Sequence, residues 1–123
     1  MGLNHRYAGR LHWFLGLVVL LSPTVVSADE AADKFFDQQV APLLVQRCLE
    51  CHNGFDLKGK LDLSNHEGAL RGGESGPAIV AGKPEESLLF EMIHDEKMPP
   101  EGQMPKAGDI EQVRLWIASG AHP

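Results

Sequence analysis

Apolar residues recur at helical intervals from about Ala31 to Glu50. They are spaced mainly three or four positions apart, which predicts an amphipathic helix with Asp33 as a candidate N-cap. Its apolar positions are Phe35, Phe36, Val40, Leu43, Leu44 and Cys48. Pro42 lies inside this pattern. Because proline lacks a backbone N–H, we expect the helix to kink or restart just before it.

Three further helices are predicted downstream. Ser64 is a candidate N-cap for a brief helix over residues 64–70. Pro84 and the two acidic residues after it favour a second helix start, and this helix must end before Met98, which two prolines follow. A last helix over 109–119 has its apolar side chains on one face. The chain shows no strong strand pattern, so the sequence predicts an all-α fold with about four helices.

The N-terminal region has the pattern of a secretory signal peptide. Two arginines precede an apolar run over residues 11–21, and Val26-Ser27-Ala28 fits a small-residue cleavage site. Cleavage there would separate a signal peptide, 1–28, from a single domain, 29–123. The apolar run is shorter than the about 20 residues that a spanning helix needs. Residues 24–26 would extend it, so an uncleaved membrane anchor stays open as an alternative.

Charge and composition narrow the class of partner. The chain has 11 basic and 17 acidic residues, and the first 28 residues hold two of the basic ones and none of the acidic ones, so the domain that remains carries −8. This balance disfavours nucleic acid and anionic membrane as partners. It favours a partner with a basic docking patch, although solubility alone explains it equally well. A domain this small is only marginally stable if it relies on its own hydrophobic core. Only 7% of the chain is aromatic.

The strongest chemical signal is Cys48-Leu49-Glu50-Cys51-His52, which contains the only two cysteines of the chain. C-x-x-C-H is the attachment pattern of c-type haem. Two thiols two residues apart can each add to one of the two haem vinyl groups. The histidine that follows is then held below the porphyrin, where a ring nitrogen can bind the iron. A haem would also supply a large apolar centre for the small domain.

Other interpretations of a bare C-x-x-C pair have less support. A thioredoxin-like redox pair needs a βαβ context, which this chain does not show. A structural zinc site needs four ligands, and there is no second cysteine pair. A small structural disulfide also stays open. The export signal and the histidine after the second cysteine both favour haem.

The iron needs a ligand opposite His52, and methionine is a common one. Met98 lies between two predicted helices in a segment stiffened by prolines, which would hold a weak thioether ligand in place. Met104, followed by Pro105, has a weaker version of the same chemistry and is the alternative. Met92 falls on the apolar face of a helix, where methionine usually fills the core.

Several residues have softer predicted roles around a haem. The Gly76–Pro77 turn is a plausible source of the carbonyl that accepts the second ring N–H of the ligating histidine. Arg71 could neutralise a haem propionate, as could Lys58 or Lys60. Trp116 could pack on the haem or donate its indole N–H to a propionate, although core packing explains it as well.

The ordered motifs resemble the planctomycete-type cytochrome c domain, a branch of the class I-like mono-haem cytochromes c. The resemblance covers nearly all of residues 29–123 and rests on Val40-Ala41-Pro42-Leu43-Leu44, the C-x-x-C-H pattern, Lys58-Gly59-Lys60-Leu61-Asp62-Leu63, Gly72-Gly73-Glu74-Ser75-Gly76-Pro77-Ala78-Ile79-Val80, Gly82-Lys83-Pro84-Glu85-Glu86-Ser87-Leu88-Leu89, Lys97-Met98-Pro99-Pro100 and Trp116-Ile117-Ala118-Ser119-Gly120-Ala121.

The resemblance implies a small class I-like fold around one covalently attached haem c, with the terminal helices crossing. It assigns thioether bonds to Cys48 and Cys51, proximal iron ligation to His52 and distal ligation to Met98. It gives Met104 a packing role, because leucine is usual there. The sequence departs from the family pattern at this point, since the expected Leu-Ser/Thr helix cap is replaced by residues 104–108.

The leading functional hypothesis is an exported, periplasmic one-electron carrier that transforms no substrate and is not an enzyme. It would meet redox partner proteins weakly and transiently, with no stable membrane insertion after signal cleavage. One alternative is a haem-based sensor or small-ligand binder. Another is a membrane-tethered cytochrome subunit of a larger oxidoreductase, held by residues 1–28.

Overall fold

Helices and connecting loops form the whole of the described fold. The computed structural model describes residues 1–2 and 25–123. Its α-helices are α1 (Ala28–Phe35), α2 (Ala41–Arg47), α3 (His66–Arg71), α4 (Leu88–His94) and α5 (Ala107–Ala118). A π-helical turn, Phe36–Val40, joins α1 to α2, and 3₁₀ turns lie at Lys58–Lys60 and Pro84–Glu86. Residues 25–123 contain no β-strand, only two isolated bridges. The all-α prediction is therefore confirmed for this part of the chain.

The first helical stretch runs without a gap from α1 through the π-helical turn into α2, so the described α-helices make four separate bodies. Pro42 is in the first turn of α2, directly after the π-helical turn, a position where proline is tolerated. The change from π-helical to α-helical turns at Val40–Ala41 agrees with the predicted kink or restart there. The predicted cap was wrong, because Ser27 caps α1 by accepting a hydrogen bond from the Glu30 N–H at 3.2 Å. Asp33 lies inside the helix instead.

The later helices follow the prediction with shifted ends. Asn65, not Ser64, caps α3 by accepting from the Gly68 N–H at 2.7 Å. The Ser64 hydroxyl donates instead to Asp62 at 2.6 Å. Pro84 opens a 3₁₀ turn, and the α-helical part begins only at Leu88. The last helix, α5, begins two residues earlier and ends one residue earlier than predicted.

The core lies where the first helical stretch packs against α5. Val40, Val113 and Ile117 are completely buried. The rings of Phe36 and Trp116 lie 5.1 Å apart between the same two elements. This contact joins the N-terminal and C-terminal helices and leaves the other face of α2 free to line a cavity.

The predicted apolar run of the signal peptide, 11–21, lies outside the described residues. The cleavage site after Ala28 and the boundary between 1–28 and 29–123 stay predictions. In the described part of the chain, no helix has the length and apolar character that crossing a membrane requires.

Candidate functional site

The Cys48–His52 segment continues from α2 as a series of tight turns. The N–H of Cys48 donates to the Leu44 carbonyl at 2.9 Å, in the manner of one more helical residue. The Cys48 carbonyl then accepts from the N–H groups of Cys51, at 3.2 Å, and His52, at 3.0 Å. Both cysteines are free thiols. This winding brings the two thiols and the imidazole to the wall of one cavity.

The cavity is large and mainly apolar. The space open to the centres of water-sized molecules is about 190 Å³, and all the empty space, with the open mouth included, is about 1050 Å³. Aliphatic side chains from α2, the 61–63 segment and α4 form much of its wall, among them Leu43, Leu44, Leu61, Leu63, Leu89 and Ile93. The glycine-rich loop 73–76 contributes backbone to the rim. An apolar group with polar edges fits this lining.

The imidazole of His52 is oriented by a backbone carbonyl. Its Nδ1 lies 2.9 Å from the carbonyl oxygen of Lys58. Because a carbonyl can only accept, Nδ1 carries the proton and Nε2 is free to bind a metal. Sequence reasoning placed this carbonyl at Gly76–Pro77, and the structure corrects it to Lys58. Pro77 is exposed and lies outside the cavity lining.

Met98 lines the same cavity as His52. Met98 lines it together with Pro99 and Pro100 and is 36% exposed at the mouth. Its N–H donates to the Met92 carbonyl at 3.0 Å, which fixes where the chain leaves α4. Met104 is half-buried and does not line the cavity. The geometry therefore brings Met98, and not Met104, to the cavity that holds His52.

Comparison with known families adds an independent observation about this same segment. Residues 48–102 match the family model described as planctomycete cytochrome C. This segment is a planctomycete-type cytochrome c domain. No curated protein and no solved structure gives a significant match to the chain. Membership in the family indicates haem as the cofactor and electron transfer as the general function.

The residues of the cytochrome c domain fit a covalently attached haem. Two free thiols and an oriented imidazole line an apolar cavity, and a thioether lines it as well. Imidazole and thioether are established axial ligands of haem iron. Within residues 25–123, no group of three or more His, Cys, Asp or Glu side chains converges to hold a metal ion directly. An iron here would take its remaining ligands from a porphyrin.

The two thiols have different electrostatic surroundings. Burial raises the pKa of the Cys48 thiol from 9.0 to about 11, because a thiolate there would lose its hydration. Cys51 instead has the Lys58 ammonium 3.4 Å from its sulfur. The hydrogen bond to Cys51, followed by the charges of Cys51, Asp56 and Glu101, raises the pKa of Lys58. Cys48 is therefore a neutral thiol near pH 7.

The other two predicted haem contacts lie away from the cavity of the cytochrome c domain. Arg71 is exposed, forms an ion pair with Glu67 at 3.8 Å and is not part of the lining. Trp116 packs against Phe36, and its indole N–H donates to the His122 carbonyl. The structure thus places Trp116 in the core between the terminal helices.

Two cations that do line the cavity are Arg47 and Lys58. The sequence suggests Lys58 as a partner for a propionate, and it does not single out Arg47. Its position directly before Cys48 was the available signal, because the side chain before an attachment cysteine lies close to any group bound there. Its partner, Gln103, lies 56 residues further along the chain, and no sequence pattern pairs the two.

Proposed function

We propose that the protein is an exported mono-haem c-type cytochrome that carries one electron at a time in a respiratory or periplasmic redox chain. The observation that carries the proposal is the meeting of Cys48, Cys51, His52 and Met98 at one apolar cavity. Membership of residues 48–102 in the cytochrome c family supports it.

Each of the four residues has a separate task in this proposal. Cys48 and Cys51 hold the haem through thioether bonds, His52 binds the iron through Nε2, and Met98 binds it through sulfur. When bound, haem supplies a one-electron Fe(III)/Fe(II) couple. His/Met ligation places such a couple at a higher potential than bis-His ligation does.

The other cavity residues restrict what the site can do. The Lys58 carbonyl keeps the proton on Nδ1 of His52, and the aliphatic wall keeps water away. Glu74 is the one carboxylate among the described residues that line the cavity, and it is exposed and paired with Lys60 at 3.2 Å. A general acid–base pair needs two groups aimed at a reacting atom. The site therefore supports an electron-transfer protein rather than an enzyme.

The acidic surface suggests the kind of partner. The proposed mature domain has a net charge of −8, since it contains nine basic and 17 acidic residues. A redox partner with a basic docking patch would be attracted to it from a distance. Electron-transfer complexes bury little surface, so we expect weak and short-lived binding. The signal-peptide pattern supports a periplasmic or otherwise exported location.

A second candidate function is a haem-based sensor or small-ligand binder. The observation that favours it is the exposure of Met98 at the cavity mouth, which would make its sulfur easier to displace. The two functions differ in the sixth ligand. A carrier keeps it in both redox states, whereas a sensor releases it for carbon monoxide or another small ligand.

Covalent haem attachment is tested by intact mass and absorption spectroscopy. The full chain is produced in a bacterium that matures c-type cytochromes. We expect a mass equal to residues 29–123 plus one haem, which also tests the cleavage site. Cys48→Ser and Cys51→Ser should each leave one thioether, seen as a shifted pyridine haemochrome band, and the double variant should lose covalent haem.

An unrelated c-type cytochrome made in the same host serves as the control for maturation. If that control carries haem while this chain shows the mass of the bare polypeptide, the proposed function is wrong.

A further inference from the structure

The loop between α4 and α5 has few bonds to hold it. We call residues 99–105 the proline loop, because Pro99, Pro100 and Pro105 are three of its seven residues. Among the described residues, no backbone–backbone hydrogen bond outside the helices involves its peptide groups. At one end the N–H of Met98 donates to Met92, and at the other the N–H of Lys106 donates to the Asp109 carboxylate at 3.2 Å. Between these ends the backbone bonds of this loop do not fix its path.

One side-chain hydrogen bond joins the proline loop to α2. Nη2 of Arg47 donates to Oε1 of Gln103 at 3.0 Å. Arg47 is the last residue of α2 and directly precedes Cys48, and it lines the cavity beside Met98 and Pro99. The bond therefore joins the segment that carries the attachment cysteines to the loop that follows the candidate methionine ligand.

We propose that Arg47 and Gln103 form a latch that holds the proline loop across the cavity mouth and so keeps the Met98 thioether at the iron. This inference rests on the proposed function. Arg47 and Gln103 touch neither iron nor the bond to it, so both are positioning residues that act through Met98.

The physical argument is that a thioether is a weak ligand that competes with other donors from solution. Anything that restricts the open loop conformations raises the fraction of time the sulfur spends bound. A hydrogen bond from a charged donor at a partly exposed site contributes modestly. Loss of the latch should therefore make Met98 about 3- to 10-fold easier to displace.

A competing role for Arg47 is a direct ion pair with a haem propionate. That role does not involve Gln103. The two roles therefore differ in whether Gln103 variants reproduce the effect of Arg47 variants, and in whether the two effects add.

The test is a titration of the ferric holoprotein with imidazole, which displaces methionine from haem iron. It is followed by loss of the methionine-to-iron charge-transfer band. We expect Arg47→Ala and Gln103→Ala each to raise the apparent imidazole affinity about 3- to 10-fold, and the double variant to do no more than either single one. Gln103→Glu gives Arg47 a carboxylate partner in place of the amide. Its apparent imidazole affinity should be equal to or lower than that of the wild type.

Arg114→Ala serves as the matched control, because Arg114 pairs with Glu111 on α5 and does not line the cavity. It should leave imidazole binding unchanged. An effect of Arg47→Ala that Gln103→Ala lacks, or two effects that add, would overturn the latch and favour the propionate role. A wild type without covalent haem would overturn the proposed function and the latch together. Haem-loaded variants that titrate like the wild type would overturn the latch alone.

Discussion

His52 depends on a main-chain atom for its orientation. The Lys58 carbonyl accepts from Nδ1 at 2.9 Å, while the side chain of the same residue reaches Cys51. The sequence predicts Cys48, Cys51 and His52 because the chemistry of haem attachment is carried by their side chains. It does not predict the carbonyl, because every residue has one and only the path of the loop decides which carbonyl comes close.

The choice between the two candidate methionine ligands is decided by two alanine variants. Met98 lines the cavity and Met104 does not. We expect Met98→Ala to lose the methionine-to-iron charge-transfer band, and its reduced form to bind carbon monoxide rapidly and stoichiometrically. Met104→Ala, the matched control, should keep the band and bind no carbon monoxide.

Survival of the band in Met98→Ala would move the ligand to Met104. Rapid carbon monoxide binding by the reduced wild type would instead favour the sensor function, since a stable carrier keeps its sixth ligand.

Elements with a strong periodic pattern were predicted well, and their detailed geometry was not. Pro42 predicts an interruption of the first helix because proline lacks a backbone N–H. The π-helical turn before Pro42 cannot be predicted from the spacing of apolar residues, because a spacing of about 3.6 residues indicates only an α-helix. In the π-helical turn, the Ala41 N–H donates to the carbonyl of Phe36, five residues back. The cap of α3 was misassigned by one residue because Ser64 bonds to Asp62 instead.

Gly72, which directly follows α3 and precedes the glycine-rich loop, tolerates no side chain. Gly72 has φ +75°, and a Cβ there would lie 1.9 Å from the Gly76 carbonyl oxygen. Both the left-handed backbone and the clash oppose a substitution, so we expect Gly72→Ala to lower the free energy of unfolding by about 2–4 kcal/mol. Urea unfolding of the holoprotein followed by circular dichroism measures this.

Gly108→Ala is the matched control, because a Cβ there meets nothing within 4 Å and the residue lies in the first turn of α5. It should be neutral or stabilising by up to about 1 kcal/mol. Equal urea midpoints for the Gly72 variant and the wild type would contradict this prediction, because the backbone would then accommodate the added Cβ without loss of stability.

The whole molecule combines a small protein core with a large apolar cavity. The core between the first helical stretch and α5 includes Val40, Val113 and Ile117, and Val113 also lines the cavity. Side chains alone fill the core on one side, and on the other side aliphatic residues line the cavity that a haem would occupy. A bound haem would take the place of large side chains, which agrees with the low aromatic content of 7%.

The net charge of the whole molecule should govern how its electron-transfer rate depends on salt. The proposed mature domain carries −8, with nine basic and 17 acidic residues, although the cations Arg47 and Lys58 lie at the cavity itself. The screening length falls from about 30 Å at 0.01 M salt to about 3 Å at 1 M, so at low salt the distant charges act together. Oxidation of the reduced protein by the trivalent cation tris(phenanthroline)cobalt(III) should therefore slow by about tenfold over this range.

Oxidation by ferricyanide, a trivalent anion, should accelerate over the same range of salt in the same stopped-flow experiment. The reverse order would mean that the local cations dominate, and Lys58→Gln would then abolish the preference for ferricyanide.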